Sequence, residues 1–248
     1  MTLSAHNTVG FEKSYNKSGF QTNPLLYEGA TATTYTKGTL LGIIPAGQAS
    51  AGLLTSITGA STVGVAMQIA GVAAETKTTT DSNKHVKVWP VKDEVFTVSF
   101  TDHADVTASA TSTAKNHFNT TLASNSTLAI GSPIYIYEGP GKGDVKVITA
   151  SSTANNRFTV SGEFSALPTT ASKAIILAPI STASTVSAGA NVGSQLRVST
   201  GSASKVSVKS SAVGIGYVNV LGIDHKNLTM DVRIAPAKSL IGQGNTAT

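Results

Sequence analysis

Apolar and polar residues alternate with a period of two through many short stretches of this 248-residue chain. Val86-Lys87-Val88-Trp89-Pro90 puts valines on one side and a lysine on the other, and Val232-Arg233-Ile234-Ala235-Pro236 repeats the design near the C-terminus. A period of two is what a half-buried strand requires, and proline, which cannot donate to a ladder, suits the strand's end. Each stretch follows a Gly-interrupted apolar run and a polar reversal, residues 63–72 in the first case and 213–223 in the second. The two segments read either as an internal repeat or as two ordinary β-hairpins.

Further strands are expected along the chain. Leu40-Leu41-Gly42-Ile43-Ile44, residues 53–57, 95–100, 145–148, 174–177, 195–199 and 205–209 all carry strand patterns, and Ile134-Tyr135-Ile136-Tyr137 is the strongest. Glu138-Gly139-Pro140-Gly141-Lys142-Gly143-Asp144 reads as a turn, as does Asn155-Asn156, a pair that tolerates positive φ. Residues 108–118 fit a short helix or a long loop equally, because Ser and Thr compete with helical hydrogen bonding.

Strands at roughly ten-residue spacing with Gly, Pro and Asn between them predict an all-β fold of one or two small sandwich or barrel domains. Residues 1–24 are expected to form an extended arm and 25–100 a barrel-like domain. Residues 101–238 form a second β domain in this reading, and 239–248 a flexible tail. The alternative is one barrel built from both ends of the chain, with 101–180 inserted.

Charged residues make up only 12% of the chain, about half the share usual in soluble domains. Ser, Thr, Ala, Asn and Gly replace them, and Thr suits the outer face of a strand. The net charge is +5, but the lysines and arginines are scattered singly and no basic run interleaves with aromatics. That argues against nucleic acid as a partner. A mildly basic face also suits an acidic protein surface. With no cysteine there is no disulfide framework, zinc–thiolate site or thiol nucleophile. No apolar run approaches the roughly 20 residues of a membrane helix, and residues 1–19 lack a signal-peptide core, so folding in the cytosol is expected.

Catalytic and ligand motifs are weak. Lys142 is followed by glycine and a strand where a P-loop needs Ser or Thr and a helix. The histidines, His6, His85, His103, His117 and His225, show no ligand spacing. Asp102-His103-Ala104-Asp105 is the densest polar knot and reads as a solvated loop. Four glycosylation sequons read as coincidence in so Ser/Thr-rich a chain. No enzyme and no cofactor or metal is therefore expected. Phe11, Tyr15 and Phe20 are isolated aromatics in a polar arm and need somewhere to pack, in the same subunit or a neighbour. Trp89, the only tryptophan, ends a strand and reads as core or subunit-interface packing.

The order Lys37-Gly38-Thr39-Leu40-Leu41-Gly42, Val63-Gly64-Val65-Ala66, Val86-Lys87-Val88-Trp89-Pro90 and Glu94-Val95-Phe96-Thr97-Val98 resembles head decoration (cement) proteins of tailed bacteriophages and related β-rich virion proteins. The resemblance covers roughly residues 37–100 and, more weakly, 213–236. It implies a homotrimer on the outer capsid surface, partnered by the major capsid protein through an extended arm. It also implies that Phe11, Tyr15, Phe20 and Trp89 lie at subunit or capsid contacts. The chain is longer than the simplest such proteins, which suggests an outward-facing knob for part of 101–179. Two other classes remain open. A tail or fibre module binding a receptor or glycan needs Trp89, Tyr135, Tyr137 and Tyr217 on one exposed face. A hydrolase or lyase needs Asp102, His103, Asp105 or His225 to converge in a cleft.

Overall fold

A computed structural model describes residues 10–16, 23–57, 68–91, 94–122, 129–178, 190–199, 202–208 and 218–234. Among them there is no α-helix, and the chain is all-β. The first strands are β1 (Glu12–Asn16), β2 (Leu25–Glu28), β3 (Thr34–Tyr35), β4 (Leu40–Ile43), β5 (Leu54–Ser56), β6 (Gln68–Ala73), β7 (Lys77–Thr78), β8 (His85–Trp89) and β9 (Glu94–Thr101). A middle group contains β10 (Ala104–Thr107), β11 (His117–Asn119), β12 (Pro133–Glu138), β13 (Val145–Ser152), β14 (Arg157–Val160) and β15 (Lys173–Ile176). The last are β16 (Gln195–Ser199), β17 (Ser202–Ser207), β18 (Val218–Asp224) and β19 (Thr229–Ile234).

β9 organises the largest sheet. It pairs antiparallel with β19 along one edge, and along the other antiparallel with β1 and then parallel with β17. With β16 and β18 between them, β9, β17, β16, β18 and β19 close a five-stranded ring, which leaves no free edge in that circuit. Phe96, Val98 and Phe100 of β9 point into its core beside Leu196, Val198, Val206, Val218, Val220, Met230, Val232 and Ile234. Val95 and Ser99, on the other face of β9, are also fully buried.

A second sheet runs β2-β8-β6-β4-β5, and a parallel bridge from Gly29 to Leu54 draws its outer strands together. Its core surrounds Tyr35, whose hydroxyl donates to the Leu54 carbonyl at 3.0 Å and accepts from the Ala30 N–H at 2.9 Å. β3 and β7 form a separate two-stranded ribbon.

The third sheet, β10-β15-β12-β13-β14-β11, lies between β9 and β16 in sequence and has its own core. β12 shows why. Ile134 and Ile136 point into that core, and Tyr137, which follows Ile136, packs instead against the β9 ring, as do Ile175 and Leu177 from β15 and its end. An alternating strand with apolar residues on both faces is covered on both faces.

The sheets do not divide at residues 100 and 101. β9 belongs with β16–β19, because its Phe96, Val98 and Phe100 complete the ring's core, while 104–176 form the intervening sheet. Residues 108–116 hold no helix, and β11 follows them. Of the segment expected as an arm, 12–16 is a strand of the β9 sheet. Val63 to Ala66, 213–217 and the tail lie outside the described residues.

Gly71 makes the tightest backbone approach. It lies in β6 at φ 150°, and a Cβ there would stand 2.0 Å from the Trp89 carbonyl oxygen. In β18, a Cβ on Gly222 would meet its nearest neighbour at 3.8 Å. Denaturant unfolding of Gly71→Ala is expected to show a loss of about 3 kcal/mol or more, from strain and overpacking together. Gly222→Ala is expected to stay within about 1 kcal/mol of the parent.

Candidate interaction surface

Of the aromatic residues expected at contacts, Phe11, Tyr15 and Trp89 fall at the join between β1, β8 and β9. β1 enters through a close backbone crossing in which the Phe11 N–H donates to the Gly38 carbonyl at 2.9 Å. Gly38 has φ 79°, and a Cβ on it would sit 3.0 Å from the Gly10 Cα. The Lys37-Gly38 turn thus holds the start of β1 through backbone contacts that need glycine on both sides.

Phe11 is 1% exposed and meets the Phe96 ring edge-on, with centroids 6.3 Å apart and planes at 82°. It packs in the chain's own core and presents no surface. Tyr15 pairs with Val95 through the backbone, beyond an irregularity between Lys13 and Tyr15. Phe20 lies outside the described residues. Trp89 is half-buried against the β9 ring core, and the Lys13 ammonium stands 4.5 Å above its ring centre. The same ammonium lies 3.4 Å from the Glu94 carboxylate, whose side chain is completely buried. Lys13 therefore ties three strands together: its own β1, β8 through Trp89, and β9 through Glu94.

The polar knot after β9 is similarly built in. Asp102, at φ 67°, accepts hydrogen bonds from Ser207 and, at 3.2 Å, from Thr101. His103 stacks edge-on to Phe100 at 5.6 Å, and burial holds its pKa below the ordinary histidine value against the pull of Asp105 and Asp102. At the β18–β19 turn, burial raises the Asp224 carboxyl, but hydrogen bonds from Asn227 and Lys226 outweigh this and leave it below the usual range. No group of three or more His, Cys, Asp or Glu side chains able to hold a metal ion occurs among the described residues.

The Gly139 to Asp144 segment is the β12–β13 turn. Asp144 accepts from the backbone N–H of Ser165 at 2.6 Å and from its hydroxyl at 2.9 Å, so the carboxylate closes a loop. Trp89 belongs to the second sheet, whereas Tyr135 and Tyr137 lie two residues apart on β12 of the third. Tyr217 lies outside the described residues. A recess of about 440 Å³ beside β4 is lined by Ile43, Ile44, Pro45 and Ala46, with Gln68 its one polar lining side chain.

What reaches solvent is a set of large apolar side chains that the sequence reading did not single out. Leu25 and Leu26 are 49% and 63% exposed at the start of β2. Val145 and Val147 are exposed on one face of β13, opposite Tyr135 and Pro133. Ile130 and Val192 are also exposed, beside Gly131 and Asn191, which are joined by an amide-to-carbonyl hydrogen bond. The period-two pattern of Val145-Lys146-Val147 predicts a shared face but not which face is covered. Compared with known proteins, the chain matches no family model, no curated protein and no solved structure.

The Lys13 junction carries an expected outcome. Lys13→Ala leaves the Glu94 carboxylate buried without its ammonium and removes the cation above Trp89. Chemical denaturation is expected to show a loss of about 2–4 kcal/mol, with a shifted Trp89 emission maximum. The Lys13→Met/Glu94→Gln pair is expected to recover part of that loss.

Proposed function

We propose that this chain is a virion structural protein of the capsid-decoration type, which binds the outside of a phage head and stabilises contacts between major capsid subunits as a homotrimer. One observation carries the reading: large apolar side chains stand exposed on the two sheets that flank the β9 ring, Leu25 and Leu26 on one and Val145 and Val147 on the other. Their own chain does not require them to be exposed, and water does not favour it, so a protein surface is the natural partner for them.

The weakly charged, Ser/Thr-rich composition supports the same reading, since such a surface desolvates at lower cost than one dense in ions. The sequence resemblance over residues 37–100 adds the capsid as the partner. The mechanism is mass action: many copies bind the assembled shell and not its separated subunits, and each stabilises the form that it binds. Since 12–16 lies in this chain's own sheet, the reading assigns the clamping contacts to these exposed faces and not to Phe11.

Light scattering followed by co-sedimentation with empty phage heads tests this. A trimer that saturates at a fixed ratio to the major capsid protein is expected, and heads so decorated should unfold at a higher temperature. Leu26→Asp and Val147→Asp, both at exposed positions, are expected to weaken co-sedimentation at least tenfold and to leave the protein's own melting temperature within a few degrees. A protein that ignores heads and binds cells or a glycan array would overturn the proposal.

A further inference from the structure

Two histidines of the inserted sheet's border have no role in the reading above. The border is where β10-β15-β12-β13-β14-β11 rests on the β9 ring, through Tyr137, Ile175 and Leu177. Two hydrogen bonds also cross it, one between backbones from the Ala190 N–H to the Leu177 carbonyl at 2.8 Å and one from the Asn191 side-chain amide to the Gly131 carbonyl. His103 lies at the chain's crossing from β9 into β10, against the ring of Phe100. His225 lies at the β18–β19 turn, with its ring 6.2 Å from that of Tyr135 on β12. Each has one buried ring nitrogen with no hydrogen-bond partner, Nδ1 of His103 and Nε2 of His225.

We propose that this border is an acid-sensitive hinge: protonation of His103 and His225 loosens the inserted sheet from the β9 ring while each sheet keeps its own core. A proton placed on either buried nitrogen would have no acceptor, and burial of a charged imidazole is disfavoured. The way to hydrate both rings is to part the surfaces that cover them.

The groups facing the two rings set the sign. His103 faces Asp102, which is tied to Ser207 of β17, and Asp105 of β10. Asp105 in turn acts on Tyr137, with the Lys173–Glu138 pair beyond it on β15 and β12. His225 faces Asp224 and the Tyr135 ring. Burial is the larger influence on each histidine and lowers its pKa, while the neighbouring carboxylates raise it. The closed border is thus fully stable above the ordinary histidine value of 6.5 and loses stability as pH falls below it. Opening keeps the carboxylates nearby and removes the burial, so the open form takes up the protons.

The test is amide exchange of the full chain at pH 7.5 and pH 5.0, corrected for the intrinsic pH dependence, with the two imidazoles followed by proton NMR. The Ala190 amide, whose N–H crosses the border to the Leu177 carbonyl, is expected to exchange at least tenfold faster at pH 5.0, in step with the two imidazole titrations. Amides of β4 and β8 in the second sheet, and of β14 inside the third, are expected to change less than twofold. The His103→Gln/His225→Gln variant should lose the pH response. Unchanged border exchange would overturn the proposal, and so would equal acceleration in all three sheets. Should the double variant not fold, the native chain's border-to-core contrast decides alone.

Discussion

β9 is the strand on which the other elements depend. Eight residues long and buried on both faces, it satisfies its ladder only if strands from both ends of the chain reach it. β1 arrives from the N-terminus, and β17 and β19 arrive from more than a hundred residues downstream. Such closure is dominated by non-local pairing, so its folding cost is loop-closure entropy incurred before most of the contacts form. Thr97 and Asp231 mark the long-range contact with a side-chain hydrogen bond of 2.6 Å across β9 and β19. The chain leaves the ring at β9 to form the inserted sheet and re-enters it at β16, one strand removed from β9.

Other constraints serve the same strand. Lys13 neutralises the Glu94 carboxylate at β9's start and stands over Trp89, so that one side chain links β1 to both β9 and β8. Phe11 fills the ring's core against Phe96. The apolar residues left outside, Leu25, Leu26, Val145 and Val147, sit on strands of the other two sheets. Stability and the proposed contacts are thereby separated: the ring holds the fold, and the flanking sheets carry the faces offered to a partner.

The all-β class was legible because alternation in Val86 to Trp89 and Val232 to Ile234 is a local signal, and both stretches are strands. The turn at Asn156, with φ 46°, was legible for the same reason. The assignment of β9 was not, since nothing local distinguishes Phe96, Val98 and Phe100 facing one sheet from the same residues facing another. Phe11 shows the matching difficulty at the candidate site. An isolated aromatic in a polar segment signals that it packs, and only tertiary structure gives the partner, which here is Phe96. Exposure of Val145 and Val147 was hidden too, because a strand's pattern defines two faces without saying which of them water reaches.

The chain has no cysteine, which permits a direct test of the long-range closure. Ser99 and Thr229 stand opposite each other on β9 and β19. Opposed residues in an antiparallel pair have Cα atoms about 4.5–5.5 Å apart, within the reach of a disulfide. Oxidation of Ser99→Cys/Thr229→Cys is expected to give a near-complete intramolecular cross-link in the folded protein, read by mass spectrometry and by faster migration on a non-reducing gel. Thiols that stay free, or that cross-link only between molecules, would contradict the pairing of β9 with β19 on which the fold rests.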